Sequence, residues 1–298
     1  MLSGQDKLSS ALIQTLAYAD IFDYPLTLEE IVKFLVGESE VEMEVVLNAL
    51  TKIITGSKQI YTEGDFYFLR GRKQIVELRK RRRGWSEKKR EIARKTVNKL
   101  KMIPMIKMIG ITGALAMGNC QENDDIDLLI ITGANFLWLT RLLIVLLSPF
   151  LGIKRRKPKE KNVKDKICFN LFLEENHLKT EPENLFLAHE ICQVKPLINK
   201  GKTYEKFLWN NRWVKDYLPN SVFCNNEISE QSSNGSIVQL SNCSIAVLNK
   251  IAFFAQRLYM RPKMTVERVS LHQAFFHPQN LQEKTRAEYE KRIGGLTI

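Results

Sequence analysis

The stretch that most restricts this chain runs from Gly110 to Thr132, GITGALAMGNCQENDDIDLLIIT. It reads as a strand end, a glycine turn, a short helix or loop, and a second strand entered through two acids. Ile109 to Thr112 is apolar and β-prone. Gly113 has no Cβ, so the backbone there can lie close to a ligand. Gly118 and Asn119 open a polar loop of turn-forming residues. Asp125-Ile126-Asp127 then starts the apolar run Leu128 to Ile131.

Residues two apart on a strand share a face. Asp125 and Asp127 therefore project together, with Ile126 turned away. Adjacent carboxylates repel, and each raises the other's pKa. A divalent cation between them removes the conflict. Hard oxygen donors suit magnesium, which is usually held by one or two carboxylates plus substrate phosphates. Amides of a glycine turn facing the same spot could hold those phosphates.

In order and spacing these residues resemble the nucleotidyltransferase superfamily that includes DNA polymerase beta. Its pattern is Gly-Ser-x-Ala-Arg-Gly, five residues and a Ser, then Asp-x-Asp followed by apolar residues. Gly113, Ala116, Gly118, Asp125 and Asp127 fall at matching positions, while Ala114, Met117 and Asp124 replace Ser, Arg and the second Ser. The resemblance implies transfer of a nucleoside monophosphate from a nucleoside triphosphate to a hydroxyl, with Mg2+ as cofactor. It places the metal on Asp125 and Asp127, which would also be catalytic. It places nucleotide binding on Gly113, Ala114, Gly118 and Asn119. The family's third, mid-strand carboxylate falls at Asn170, in the strand expected over Ile167 to Leu173. An amide can ligate a metal or position a hydroxyl but is no general base. Glu174, Glu175 and Asp165 are the nearby acids available to substitute for it.

Composition bears on partners. A net charge of +12 in 298 residues favours a polyanionic partner or substrate. Two basic runs stand out, Arg79 to Arg83 within the basic stretch Arg70 to Lys101, and Lys154 to Lys166. Each is either a solvated face or a track for RNA or DNA phosphates. Five scattered cysteines, none at CxxC spacing, point to reduced thiols and a cytoplasmic protein. Four histidines without metal spacing (His177, His189, His272, His277) suggest no His-rich site. The N-terminal MLSGQDKLSS lacks a basic segment followed by an apolar core, so no signal peptide is expected. Phe136 to Ile153 approaches the length of a membrane span, but Arg141 and Pro149 favour a buried helix packed on the sheet. Integral membrane insertion is not expected.

Along the chain, Ala11 to Leu35 reads as two helices broken at Asp23 to Leu26, with Thr27 and Glu30 forming a capping box. Glu42 to Ile54 is a third helix, with Val45, Val46, Ala49, Leu50 and Ile53 on its apolar face. A hairpin over Ile60 to Leu69 turns at Glu63-Gly64-Asp65. Three helices and a hairpin resemble a winged-helix domain. From Glu183 the chain reads as mostly helical over 184–194, 204–217 and 245–260. The Trp209, Trp213 and Tyr217 stripe reads as core packing, residues 224–242 as a Ser- and Asn-rich loop, and the tail after Pro278 as charged and frayed at Gly294-Gly295.

The expected organisation is a winged-helix-like domain (1–75), a basic helical linker (76–103), a nucleotidyltransferase domain (104–180) and a mainly helical region (181–298). The fold class is α/β (α+β), a nucleotidyltransferase-like mixed sheet with flanking helices. AYADIFDYPLTLEE, TGALAMGNCQENDDIDLLIIT and HQAFFHP resemble a group of bacterial proteins with that arrangement. Two other roles stay open. One is a catalytically silent fold that binds nucleic acid or regulates; the other is a protein-interaction scaffold.

Overall fold

The computed structural model describes residues 4–37, 39–56, 59–221, 239–264, 267–276 and 280–295. The N-terminal part comprises α1 (Gly4–Asp20), α2 (Leu28–Lys33) and α3 (Met43–Thr55), followed by the hairpin β1 (Ile60–Glu63) and β2 (Phe66–Leu69). The chain leaves α1 through Asp23, whose φ of 51° reverses its direction before Pro25. Thr27 then caps α2. Its hydroxyl accepts from the Glu30 amide at 3.3 Å, and the Glu30 carboxylate accepts from the Thr27 amide at 3.0 Å. On α3, Val46, Ala49, Leu50 and Ile53 pack against Leu12, Leu16 and Ile31. Val45, expected on that face, is exposed. The buried stripe counts three and four residues from Val46, and Val45 sits a hundred-degree turn away from it.

Helix α4 (Gln74–Leu100) joins this unit to a six-stranded sheet. Ile75 and Val76 pack on Phe68 of the hairpin, and Ala93, Val97 and Leu100 enter the sheet's core. Between them the inward stripe is charged. Arg79 clasps Glu30 through two bonds of 2.7 and 2.9 Å and also donates to the Pro25 carbonyl. Arg82 donates to the Phe22 carbonyl at 2.8 Å and to Asn119 Oδ1 at 3.1 Å. Lys89 reaches the carbonyls of Glu122 and Asp124 and the Asp165 carboxylate, at 3.1, 2.7 and 2.7 Å. Cations belong here because the surface they cover is made of main-chain carbonyls. The Arg79 to Arg83 run therefore divides: Arg79 and Arg82 turn inward, while Lys80 and Arg83 lie outside, paired with Glu77 and Glu87.

The remaining elements are β3 (Ile106–Ile111), α5 (Gly113–Met117), β4 (Ile126–Thr132), α6 (Leu137–Leu147), β5 (Ile167–Glu174), α7 (Leu185–Gln193), β6 (Lys195–Asn199), α8 (Thr203–Asn210), α9 (Gln239–Met260), β7 (Arg268–Val269), β8 (Gln273–Phe275) and α10 (Asn280–Gly294). The strand order is β6-β3-β4-β5-β8-β7; β4 and β5 are parallel and all other neighbours antiparallel. This is a mixed α/β fold. Alternation along β4 separates two cores. Ile126, Leu128 and Ile130 face α4, α6 and α9. Leu129 and Ile131 face α7, α8 and Phe34.

Several expectations need correction. Beyond Glu183 the chain is not only helical, since β6, β7 and β8 join the sheet. With two to five residues each, they are too short for a period-two pattern to register. The helix expected over 204–217 breaks at Asn211, whose side chain bonds Thr180 and the Leu178 carbonyl. As a result Trp213 is buried, but Trp209 lies on the surface near Arg212. The charged tail forms α10, which ends at Gly294, where the sequence set its break. It packs Tyr289 and Ile293 on the N-terminal core, and Arg292 bonds Asp20 at 2.9 Å. On α6, Leu137, Trp138 and Ile144 are buried as expected, but Leu142, Leu146 and Phe150 on its outer side are exposed. Among the described residues no helix is long and apolar enough to cross a membrane. Most of the Ser- and Asn-rich segment, with Cys224 and His277, lies outside the described residues.

Replacing buried Lys89 by Met leaves two carbonyls and Asp165 without their cation. The expected loss is about 3–5 kcal/mol, read as a lower urea midpoint with unchanged slope.

Candidate functional site

The acidic pair sits where β3, α5 and β4 meet. The Thr112 amide donates to the Asp127 carbonyl at 3.1 Å, which prolongs the β3–β4 ladder up to the turn. Gly113 then takes φ +60°, and a Cβ built on it would lie 3.2 Å from Asp127 Oδ2. Only a glycine lets the turn lie against this carboxylate without strain. After one turn of helix, α5 closes at Gly118 in a left-handed C-cap with φ 72°. A Cβ there would meet Arg90 Nη2 at 2.9 Å.

Asp125, Asp127 and Cys168 bring their side-chain donor atoms within 4.8 Å of one another. Cys168 stands opposite Asp127 in the parallel β4–β5 register. Burial, followed by the two carboxylates, pushes its thiol well above the ordinary range. It therefore stays protonated and hydrogen-bonds Asp127 rather than offering a thiolate. Asp125 is bridged by Arg156 Nη1 at 2.7 Å, a side chain delivered by the loop before β5. One cation from that second basic run therefore belongs to the site. Others bind locally, Lys164 to Glu122 and Lys166 to Glu160.

Asn170 reaches the site through a bulge. Leu128 pairs with Phe169 and Leu129 with Leu171, which leaves Asn170 as the extra residue on β5. Its carbonyl accepts from the Phe276 amide of the chain beyond β8 at 2.8 Å. Asn170 and Leu171 thereby line the same cavity as Asp125, Asp127, Gly113 and Ala114.

That cavity holds about 650 Å³, and most of its wall is apolar. The N-terminal unit supplies Tyr18, Phe22 and Tyr24, so the phrase AYADIFDYP is a wall of the site. The Tyr24 hydroxyl ties that wall to the turn by donating to the Met117 carbonyl at 3.0 Å. From α7 comes His189, stacked on Tyr18 with centroids 3.9 Å apart. Burial lowers its imidazole from 6.5 to about 3.

Of the residues expected from the sequence, Gly113, Ala114, Asn119, Asp125, Asp127 and Asn170 line this cavity, and Gly118 does not. Gly118 and Asn119 have their close contacts with α4: the Asn119 amide spans the Phe22 carbonyl and Arg82. The alternative acids do not join the pair. Asp165 is held by Lys89, and Glu175 lies beside the Ala134 amide and Lys107. Glu174 is four residues further along β5, bonded to His272 Nδ1 at 2.8 Å.

Glu174 belongs to a second cluster that the sequence did not indicate. His177 and His272, which have no short spacing, stack at 3.9 Å beside it, and the donor atoms of all three lie within 4.8 Å. The rings are 7° from parallel. Nitrogen lone pairs in parallel rings run side by side, so both rings serve one ion only if one of them turns.

Sequence reasoning also missed Cys168 and Arg156 as site residues. Strand pairing could have indicated Cys168, since it is the β5 partner of Asp127. Nothing local separates Arg156 from its basic neighbours. No protein-family model matches this chain, and no curated protein matches it significantly. The functional reading therefore rests on the residues themselves.

Two outcomes are expected. Gly113→Ala destabilises by about 1–3 kcal/mol because of its backbone angle. Gly84→Ala, on open helix surface, stabilises by about 0.5–1 kcal/mol, and denaturant titration separates the two. Between its unfolded value and about 3, His189 takes up a proton only on unfolding. Its contribution to stability is therefore full above about pH 6.5 and is lost on acidification. His189→Phe should flatten the acid side of the stability profile, by up to about 1.4 kcal/mol per pH unit.

Proposed function

We propose that the chain is a nucleotidyltransferase that moves a nucleoside monophosphate from a nucleoside triphosphate to a hydroxyl group, releasing pyrophosphate. The observation that carries this reading is the left-handed Gly113 turn against Asp127, with Asp125 beside it. A phosphate-sized approach to backbone and a pair of hard oxygen donors meet at one point.

The donor set fits magnesium. Asp125 and Asp127 offer hard carboxylate oxygens, and Cys168 beside them hydrogen-bonds Asp127. Bound there, the ion would supply charge neutralisation for the attacking and leaving oxygens. The protein's own residues do the rest. The Gly113 and Ala114 amides hold the triphosphate, and Ala114 provides no hydroxyl, so the turn relies on its main chain. Arg156 leaves Asp125 to meet a phosphate oxygen, a task its half-exposed guanidinium suits. Asn170 orients the acceptor hydroxyl without taking its proton. That proton leaves to water or to the nucleotide's phosphate oxygens.

The acceptor favoured by the cavity is a small molecule rather than a nucleic acid. Its walls are apolar and aromatic, and Arg79 and Arg82 are engaged inside the fold. Scattered cysteines without CxxC spacing and a triphosphate substrate support a cytoplasmic location.

The test is magnesium-dependent binding and turnover of labelled nucleoside triphosphates, comparing wild type with Asp125→Asn/Asp127→Asn. Total RNA, the protein itself and a pool of small hydroxyl compounds serve as acceptors. Label transfer should fall by roughly a thousandfold in the double variant. If wild type binds no triphosphate with magnesium, the reading fails and a binding role replaces it.

A further inference from the structure

On the sheet face opposite the acidic pair, α6 and α9 pack on one another and leave a large apolar surface uncovered among the described residues. Buried contact uses one side of each helix. From α6 come Leu137, Trp138 and Ile144, and from α9 Ala252, Phe253 and Met260. The contact is pinned by polar bonds: Asn249 Oδ1 accepts from the Trp138 amide at 2.8 Å, and Gln256 Oε1 accepts from Arg141 at 2.6 Å. The seating of the two helices is therefore fixed, and their outer sides are set by it.

Those outer sides are apolar. On α6 and the turn after it, Leu142, Leu146 and Phe150 recur every four residues, with Phe150 88% exposed. On α9, Val247, Ile251, Phe254 and Leu258 follow helical spacing, flanked by Leu248 and Tyr259, with Leu258 73% exposed. Single exposed apolar residues are ordinary; contiguous stripes of them mark a contact surface.

Charge identifies the contact. No Asp or Glu occurs between Asp127 and Glu160, nor between Glu230 and Glu267. These intervals contain both helices, and every formal charge within them is positive. Lys250 and Arg257 are exposed on α9, with Arg261 just beyond it. Lys154 and Lys157, also exposed, follow the Phe150 turn. A protein interface of ordinary composition mixes both signs at its rim. Exposed aromatic and aliphatic side chains on helices whose formal charges are all positive are the pattern of a segment lying in the headgroup region of an anionic bilayer. The face cannot be a span, because no described helix is long and apolar enough to cross.

We propose that the α6–α9 face docks the protein peripherally on an anionic lipid surface, with Leu146, Phe150, Phe254 and Leu258 entering the acyl boundary and Lys154, Lys250 and Arg257 meeting lipid phosphates. The acidic cavity, on the other side of the sheet, faces solution in this arrangement. The proposal does not depend on the nucleotidyltransferase reading.

Vesicle flotation tests it with the full chain. Wild type should float with vesicles of phosphatidylcholine plus phosphatidylglycerol and remain behind with phosphatidylcholine alone, and raised salt should weaken the association. Phe150→Glu/Leu258→Glu should abolish flotation, while Lys250→Gln and Arg257→Gln should each weaken it roughly fivefold. These side chains are exposed, and circular dichroism with urea unfolding checks that every variant folds like wild type. Absence of wild-type flotation overturns the proposal, as does flotation that the Glu variant leaves unchanged. Concentration-dependent self-association of wild type that the Glu variant abolishes, without flotation, also overturns it and makes the face a protein interface.

Discussion

Cationic side chains bonded to main-chain carbonyls hold the two halves of this molecule in register. Most buried helix faces are apolar because they cover side chains. The middle of α4 instead covers the backbone of the Phe22 to Pro25 turn and of the loop between α5 and β4, where unpaired carbonyls would otherwise be buried at a cost of about 1–3 kcal/mol each. Arg79, Arg82 and Lys89 satisfy them. The loop they stabilise leads directly to Asp125, so the position of the acidic pair depends on a helix that contributes nothing to the cavity chemistry.

That arrangement explains why part of the molecule was legible in sequence and part was not. Local signals worked wherever the physics was local: the Thr27–Glu30 capping box, the Gly64 hairpin, the glycine turn at Gly113 and the shared face of the two acids each follow from a few neighbouring residues. The charged stripe on α4 read as a solvated face or a phosphate track because its partners lie 33 to 76 residues away. Hydrophobicity cannot distinguish an arginine in water from one on buried carbonyls. The spacing of Arg79, Arg82 and Lys89 did hold the inward face, but only structure says what it touches.

Within the candidate site, residues that the order of motifs places were readable, and those that pairing alone places were not. Asp125 and Asp127 share one strand face, and Asn170 falls where the resemblance puts the third position, on a bulge that adds one residue to β5. Cys168 arrives only by parallel pairing. The bulge also aims Leu171 at the same cavity, which simple alternation forbids. His177 and His272 come together because one follows β5 and the other precedes β8, strands whose pairing nothing in the sequence announces.

The strand order has a consequence for biosynthesis. The β5 strand, which carries Asn170, has β4 on one side and β8 on the other, and β8 ends only at Phe275. A growing chain that has delivered everything up to α9 still presents β5 as an open edge, rich in Leu and Phe, to whatever strand it meets. The sheet closes only once β8 (Gln273–Phe275) has followed β5 (Ile167–Glu174) out of the ribosome, which exposes the nascent protein to strand-exchange partners and gives chaperones a long window in which to act.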